Sequence, residues 1–264
     1  MKKYYSIFII SLVLFVSCSN EDYASLVEKK EYEKAFSLSA ERFNTTGDAE
    51  HLKNALFAAN EYLEDAKSAL PLLEKYFSEN KSFLGIENLA SLTFYNSALT
   101  YYRTDKYDSA IFYASKAFEI RKNYAKALLL IGKAKVRGGD MKEGYSDIKA
   151  ALAIDSTLTD GYTFLGNIHF INEEFEQAVY FYRKAVSVNP LYYEGWMNLG
   201  ELLMAMKKQK ESADCYREAL SIDSMRIDAY DRLINIFTST NKMDSVLKYM
   251  DIYQKKTGVN LKVK

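Results

Sequence analysis

The sequence predicts an all-α protein made of stacked repeats, and three observations lead to this fold class. The 264 residues include 2 Pro and 11 Gly, whereas an all-β chain needs turn residues about every ten positions. Apolar residues recur at helical spacing, for example over residues 51–69. The chain also resembles itself at a spacing of 34 residues, a period typical of repeat architectures.

The composition argues against several functional classes. Lys and Arg total 35 and Asp and Glu total 35, and a net charge of zero argues against sequence-independent nucleic-acid binding. The 2 cysteines, Cys18 and Cys215, exclude a disulfide framework. Together with the 2 histidines, His51 and His169, they also argue against a structural zinc site with four ligands. We expect no cofactor.

The first residues have the pattern of an export signal. They begin with Met-Lys-Lys and continue with an apolar run from Ile7 to Val16. A run of about ten residues is short for a membrane-spanning helix, which needs roughly 20. We therefore predict a signal peptide over residues 1–17, and an uncleaved membrane anchor is the alternative.

The end of that run, Val16-Ser17-Cys18, resembles the lipobox of bacterial lipoproteins, with Phe15 where Leu is usual. The resemblance implies that the sulfur of Cys18 receives a diacylglyceryl group and that its freed amine is acylated, for example by palmitate. Residues 18–22 would then be the lipidated Cys and a short tether, and two or three acyl chains hold a protein firmly at a membrane. No Asp directly follows Cys18, which by the same resemblance favours the outer membrane over the inner, facing either the periplasm or the cell surface.

The repeated positions hold aromatic residues, small residues and Leu-Gly pairs. Tyr162-x-x-Leu165-Gly166 returns 34 residues later as Trp196-x-x-Leu199-Gly200. Further pairs recur at this spacing: Tyr182 and Tyr216, Ala185 and Ala219, Gly132 and Gly166, Ala117 and Ala151. One such repeat cannot bury its apolar face alone, so neighbouring repeats must stack.

This pattern resembles the tetratricopeptide repeat (TPR). The resemblance implies a right-handed α-solenoid of stacked antiparallel helix pairs. Small residues such as Gly166 are expected where the two helices of a pair approach closely, and Gly138-Gly139-Asp140 is expected at a turn. The predicted copies cover 91–260, and a basic tail over 261–264 follows them. Their ranges are 91–124, 125–158, 159–192, 193–226 and 227–260.

Residues 23–90 are predicted to form divergent helical pairs. The segment from Glu31 to Phe36 resembles the turn and second helix of a repeat. Thr46 or Asp48 is suited to cap the next helix, and Pro71 is suited to the first turn of a later one.

The family resemblance also indicates where a ligand would bind, because the first helices of TPR proteins line a concave face. Ten candidate binding residues stand at those positions: Tyr95, Asn96, Tyr102, Lys126, Lys133, Arg137, Asn167, Phe170, Asn198 and Arg232. Some members clamp a peptide's terminal carboxylate with two Lys, two Asn and one Arg. Asn167, Asn198 and Arg232 match three of those places. Thr163 and Asp228 replace the two Lys, so half of the charge-assisted contacts are missing.

No catalytic motif accompanies the repeats: the sequence has no His-Glu-x-x-His, no Gly-x-Ser-x-Gly and no phosphate-binding glycine loop. His169 is predicted to pack between helices, and Cys215 to be a small buried residue. We therefore predict a non-catalytic, lipid-anchored TPR scaffold or adaptor that holds a protein or peptide partner in a bacterial envelope complex. Two alternatives remain: a small-ligand or glycan-binding lipoprotein that uses the same groove, and an accessory enzyme whose chemistry lies in residues 20–90.

Overall fold

The computed structural model describes residues 22–80 and 85–259, and every regular element within these ranges is helical. The predicted all-α solenoid class is confirmed. The predicted signal peptide 1–17, the lipid-attachment residue Cys18 and the predicted basic tail 261–264 lie outside the described residues. The chain divides into two compact units between Ser97 and Ala98, and each unit is described by itself.

The unit that ends at Ser97 contains helices of unequal length. They are α1 (Tyr23–Glu28), α2 (Tyr32–Thr46), α3 (Ala49–Phe57), a π-helical turn (Ala58–Tyr62), a 3-10 turn (Ala66–Ala69), α4 (Leu70–Asn80) and the first part of α5 (Glu87–Arg103). Of the two predicted caps, Asp48 is the one that caps α3, by accepting a hydrogen bond from the Glu50 N–H at 2.9 Å, whereas Thr46 is the last residue of α2. Pro71 lies in the first turn of α4, also as predicted.

The apolar spacing over 51–69 does not produce one continuous helix. After α3 the chain widens into the π-helical turn, and Glu64 takes a left-handed φ of 50°. The reason is the buried side chain of Asn60, whose Nδ2 donates to Leu56 O and to Thr93 Oγ1, both at 2.7 Å. Its Oδ1 accepts from Asn96 Nδ2 at 2.9 Å. The extra residue of a π turn aims this amide at α5, where its polar atoms are satisfied.

The unit that begins at Ala98 consists of the end of α5 and nine further α-helices within the described ranges. These are α6 (Tyr107–Ile120), α7 (Ala125–Arg137), α8 (Met141–Ile154), α9 (Thr159–Ile171), α10 (Phe175–Val188), α11 (Tyr193–Ala205), α12 (Gln209–Ile222), α13 (Ile227–Ser239) and α14 (Met243–Thr257). Consecutive helices from α6 to α14 pack on each other. Each predicted copy from 125 onward therefore spans one helix pair.

Small residues stand where the paired helices approach closely. A Cβ atom built on Gly166 would lie 2.5 Å from the Tyr182 ring, and one built on Gly200 would lie 2.7 Å from the Tyr216 ring. Real Cβ atoms do not come this close, so these positions of α9 and α11 admit no side chain without a shift. The predicted role of Gly166 is confirmed.

The turns inside the helix pairs of the second unit share one backbone conformation. Each has a residue with positive φ, and these residues recur every 34 positions: Asp105 (56°), Gly139 (104°), Glu173 (61°), Lys207 (61°) and Asn241 (55°). The next N–H donates to the carbonyl five positions back, as from Lys208 N to Leu203 O at 2.8 Å. Because glycine stands at one of these five positions, the required hydrogen bond and helix packing impose this turn more than the residue type does.

The turn between α1 and α2 has the same geometry. Lys30 has a φ of 60°, and the Glu31 N–H donates to Leu26 O at 2.8 Å. The predicted resemblance of Glu31 to Phe36 to a repeat's turn and second helix is therefore confirmed.

Candidate interaction surface

The outward side chains of α7, α9, α11 and α13, together with Tyr102 at the end of α5, form a surface that we call the first-helix face. Lys133 links three helices of this face, because it lies on α7 and contacts residues of α5 and α9. Its Nζ lies 2.7 Å from Asp160 Oδ2 of α9, 5.4 Å from the centre of the Tyr102 ring and 5.5 Å from the centre of the Phe164 ring. The Lys133 side chain is 17% exposed. Its ammonium group pairs with one carboxylate and lies near the faces of two aromatic rings.

A second group of contacts joins α11 to the start of α13. The Tyr193 hydroxyl donates to Asp228 Oδ1 at 2.5 Å. Arg226 lies over the Tyr193 ring at 4.0 Å and bonds both Asp228 and Glu194, at 2.8 and 2.9 Å. Burial alone would raise the pKa of Asp228, but the bonds from Tyr193 and Arg226 hold that pKa below its ordinary value. Asp228 is therefore an ionised and already partnered carboxylate.

Arg232 of α13 pairs with Glu201 of α11 at 2.7 Å, and both side chains are about half exposed. A cavity of about 370 Å³ opens beside this pair. It is lined by Glu201, Met204, Tyr216, Arg232, Asn235 and Ile236. The lining of this cavity therefore combines one ion pair and one amide with apolar and aromatic side chains.

The ten predicted binding residues do not all belong to one surface. Tyr95 and Asn96 fall in the unit that ends at Ser97, and Asn96 is committed to the buried Asn60. Tyr102 and Asn198 are half-buried, and Lys133 is mostly buried against its ring neighbours. The exposed members are Lys126, Arg137, Asn167, Phe170 and Arg232.

Two exposed members also stabilise their own repeat. The Tyr182 hydroxyl donates to Asn167 Oδ1 at 2.6 Å, and burial raises the pKa of Tyr182 to about 12. Phe170 packs against Phe175 with a centroid distance of 6.1 Å. Asn167 therefore has one acceptor bound within the repeat while its amide group stays at the surface.

Some TPR proteins hold a terminal carboxylate with residues at fixed positions. In this chain the residues at three of those positions have other partners. Thr163 is buried and donates its hydroxyl to Thr159 O at 3.1 Å. Asp228 is bonded by Tyr193 and Arg226, and Arg232 is paired with Glu201. A carboxylate arriving at this place would have to displace Glu201 from Arg232.

Sequence reasoning named Asp228 as a replacement for a clamp lysine, but it did not recognise the acids of the first-helix face as a set. Asp160, Glu194 and Asp228 occupy the second position of α9, α11 and α13, and their spacing is 34 residues. The same period that revealed the repeats could have found them. Their partners are not periodic, because Lys133 and Arg226 come from different places in their repeats.

His169 and Cys215 lie where the sequence predicted. The His169 ring stacks on Phe181 at 5.1 Å, its Nε2 lies 3.2 Å from the Tyr145 hydroxyl and its Nδ1 contacts Glu174. Cys215 is buried, and burial raises the pKa of its thiol to about 12. A thiol with such a pKa stays protonated at neutral pH and is a poor nucleophile.

Within residues 22–80 and 85–259, no group of three or more His, Cys, Asp or Glu side chains is placed to hold a metal ion. None of the helices in the described ranges has the length and apolar character needed to cross a membrane.

This geometry defines a helical-repeat protein whose first helices contribute to one face. Three segments match family models described as tetratricopeptide repeat, at residues 93–124, 159–190 and 193–224. The chain thus contains TPR units in these three segments, each of which lies within one predicted copy.

Several solved structures share this fold. A crystal structure of MamA protein is 21% identical and covers 63% of this chain and 91% of that chain, with a TM-score of 0.52. PilF of Pseudomonas aeruginosa is 19% identical and covers 66% of this chain and 79% of its own, with a TM-score of 0.56. YrrB, described as a TPR protein with an unusual peptide-binding site, is 20% identical and covers 69% and 90%, with a TM-score of 0.50. No curated protein matches the sequence significantly.

Proposed function

We propose that this chain is a membrane-anchored, non-catalytic TPR lipoprotein that acts as a scaffold or adaptor in a bacterial envelope complex. The observation that carries the proposal is the first-helix face, whose side chains are held at both ends by contacts between neighbouring repeats. These contacts fix Tyr102, Lys133 and Asp160 at one end and Glu201 and Arg232 at the other. A preformed surface binds a protein partner with little ordering cost. The TPR fold itself suggests protein–protein interaction.

The anchoring part of the proposal depends on Cys18. The experiment compares Cys18→Ala with wild-type protein by membrane fractionation in the native cells. We expect the variant to leave the membrane fraction. Cys215→Ala is the matched control, because it removes a thiol from the buried core, and it should stay with the membrane. If Cys18→Ala is retained at the membrane as wild type is, lipid anchoring is wrong.

The partner is sought by cross-linking in native cells and mass spectrometry of the co-purified proteins. Lys133→Glu/Arg137→Glu changes one end of the first-helix face, and Asn198→Ala/Arg232→Ala changes the other. We expect a defined envelope complex that one of the two variants loses while circular dichroism shows an intact fold. A well-folded wild-type protein that enriches no partner would contradict the adaptor role.

The cavity beside Arg232 favours a second candidate function, the binding of a small ligand or glycan. At about 370 Å³ it lies within the range of small-molecule sites, which combine apolar walls with a few polar groups. Thermal shifts with glycans that are lost in Arg232→Ala, without any shift by peptides, would favour this candidate over the adaptor.

A further inference from the structure

Positive charge is concentrated in one stretch of the second unit. Between Ala98 and Arg137 the sequence has 9 Lys and Arg against 3 Asp and Glu. Residues 138–264 have 16 Lys and Arg against 18 Asp and Glu. The neutral chain therefore carries a strong local excess of positive charge around α6 and α7.

Three of these cations form a straight stripe along α7. Lys126, Lys133 and Arg137 are 7 and 4 residues apart, so at 3.6 residues per turn they leave the helix on one side. Lys126 and Arg137 are exposed and lie about 16 Å apart along the axis. In the part of the chain that the structure describes, the ion pairs of α7 belong to Lys133 and Lys135, so both ends of the stripe are without one.

The charges on the neighbouring first helices are largely neutralised. Asp160 pairs with Lys133, Glu201 pairs with Arg232, and Arg226 bonds both Glu194 and Asp228. The distances range from 2.7 to 2.9 Å. Asp155, beside the start of α7, is held mainly by the hydroxyl and N–H of Thr157, and Lys126 contributes less to lowering its pKa. Lys126 and Arg137, at the two ends of the α7 stripe, are therefore the cations of this face that remain most available to a partner.

We propose that the partner segment bound along α7 is an extended acidic peptide whose two carboxylates, about five residues apart, pair with Lys126 and Arg137. The spacing follows because an extended chain advances about 3.3 Å per residue. A residue between the two acids would lie over Lys133 and the half-buried Tyr102 ring, which suits an apolar or aromatic side chain. This inference rests on the proposed function, since it assigns the chemistry of the partner to the first-helix face.

An acidic peptide fits this stripe better than an anionic membrane surface does. The stripe is one helix wide, and the charges of α9, α11 and α13 are largely paired within the protein, so these helices add no comparable excess of cations for a flat bilayer to contact. An extended peptide needs only the one helix that carries the stripe.

The experiment selects short peptides from an unbiased displayed library against the full-length protein. The selected sequences are then synthesised with amidated C-termini, and their binding is measured by fluorescence anisotropy. We expect them to carry two Asp or Glu about five residues apart. Lys126→Glu/Arg137→Glu should weaken their binding about tenfold or more, and raised salt should weaken wild-type binding. Peptides with the two acids changed to Lys should prefer the charge-reversed variant.

The matched control is Lys210→Glu/Lys248→Glu, which changes the net charge equally at exposed positions of α12 and α14. It should leave binding within about twofold of wild type, because charges beyond a Debye length are screened. Three results would overturn the inference. In the first, the selected peptides lack paired acids, and their binding is lost in Asn198→Ala/Arg232→Ala. That result leaves the proposed function intact. In the second, phosphatidylglycerol vesicles bind with the same dependence on Lys126 and Arg137. In the third, no peptide is selected and no complex is cross-linked in cells, and the proposed function then fails as well.

Discussion

Gly132 and Gly144 face each other where α7 crosses α8, with no space for a side chain on either residue. A Cβ atom on Gly144 would lie 2.5 Å from Gly132 O, and one on Gly132 would lie 2.8 Å from Gly144 O. In the next two repeats the corresponding glycine of the first helix meets a tyrosine ring. Backbone therefore meets backbone in the repeat that carries the basic stripe, where α7 and α8 are in direct contact.

The substitution Gly144→Ala should destabilise the protein by about 1–3 kcal/mol, because backbone atoms cannot move aside for the new Cβ. In an unconstrained helix the same change would stabilise the protein by about 1 kcal/mol. The sign of the change in stability therefore shows whether the helix backbones are in contact at Gly144. The free energy of unfolding in urea measures it. Ser146→Ala, at an exposed position of α8, is the control and should change stability by less than about 0.5 kcal/mol. A stabilised Gly144→Ala protein would contradict the close approach.

The left-handed turns give a second prediction from two equivalent positions. Gly139 has a φ of 104°, and Lys207, two repeats later, has a φ of 61°. Gly139→Ala should cost about 1–3 kcal/mol because a Cβ atom strains this conformation. Lys207→Ala should be close to neutral, because a side chain already occupies that position. Thermal unfolding of both variants tests this, and equal melting temperatures would contradict a strained turn at 139.

Alkaline pH should weaken the fold through its buried thiol and phenols. The pKa of Cys215 rises from 9.0 to about 12 on burial, and those of Tyr182 and Tyr216 rise from 10.0 to about 12. Above pH 9 the unfolded thiol loses its proton while the folded one keeps it, so the free energy of unfolding falls as pH rises toward 12. Cys215→Ala should flatten this decline between pH 9 and 12 without abolishing it. An identical pH slope in the variant and the wild type would show that the thiol is not buried.

The amide network at the π-helical turn predicts a localised effect in the unit that ends at Ser97. Asn60→Ala removes the bonds to Leu56 O, Thr93 and Asn96 and should destabilise by about 1–3 kcal/mol, since buried polar atoms lose their partner. Hydrogen exchange should quicken over α3 and the first part of α5. Asn54→Ala, six residues earlier in α3, is the control and should leave exchange unchanged. Faster exchange confined to α9–α14 would contradict this account.

The sequence by itself determined the repeat architecture and much of its detail. A period of 34 residues, with Gly166 and Gly200 at close helix contacts, is enough to place helix pairs because their packing is local and recurs. Local signals also limited the cap of α3 to Thr46 or Asp48, and they predicted the Pro71 helix start and the packing roles of His169 and Cys215. The resemblance to TPR proteins implied ten binding positions on the first helices.

Only the tertiary structure decided how those positions are used. Asn96 is committed to a buried amide, Asn167 accepts from Tyr182, and Arg232 is paired with Glu201. These partners come from other turns or other repeats, and the period does not specify distances between side chains. The structure also showed that Asp160, Glu194 and Asp228 neutralise neighbouring cations, which leaves Lys126 and Arg137 as the cations of the first-helix face most available to a partner. Pairing between charges depends on three-dimensional distance, and for this reason the sequence could supply the candidates but not the choice among them.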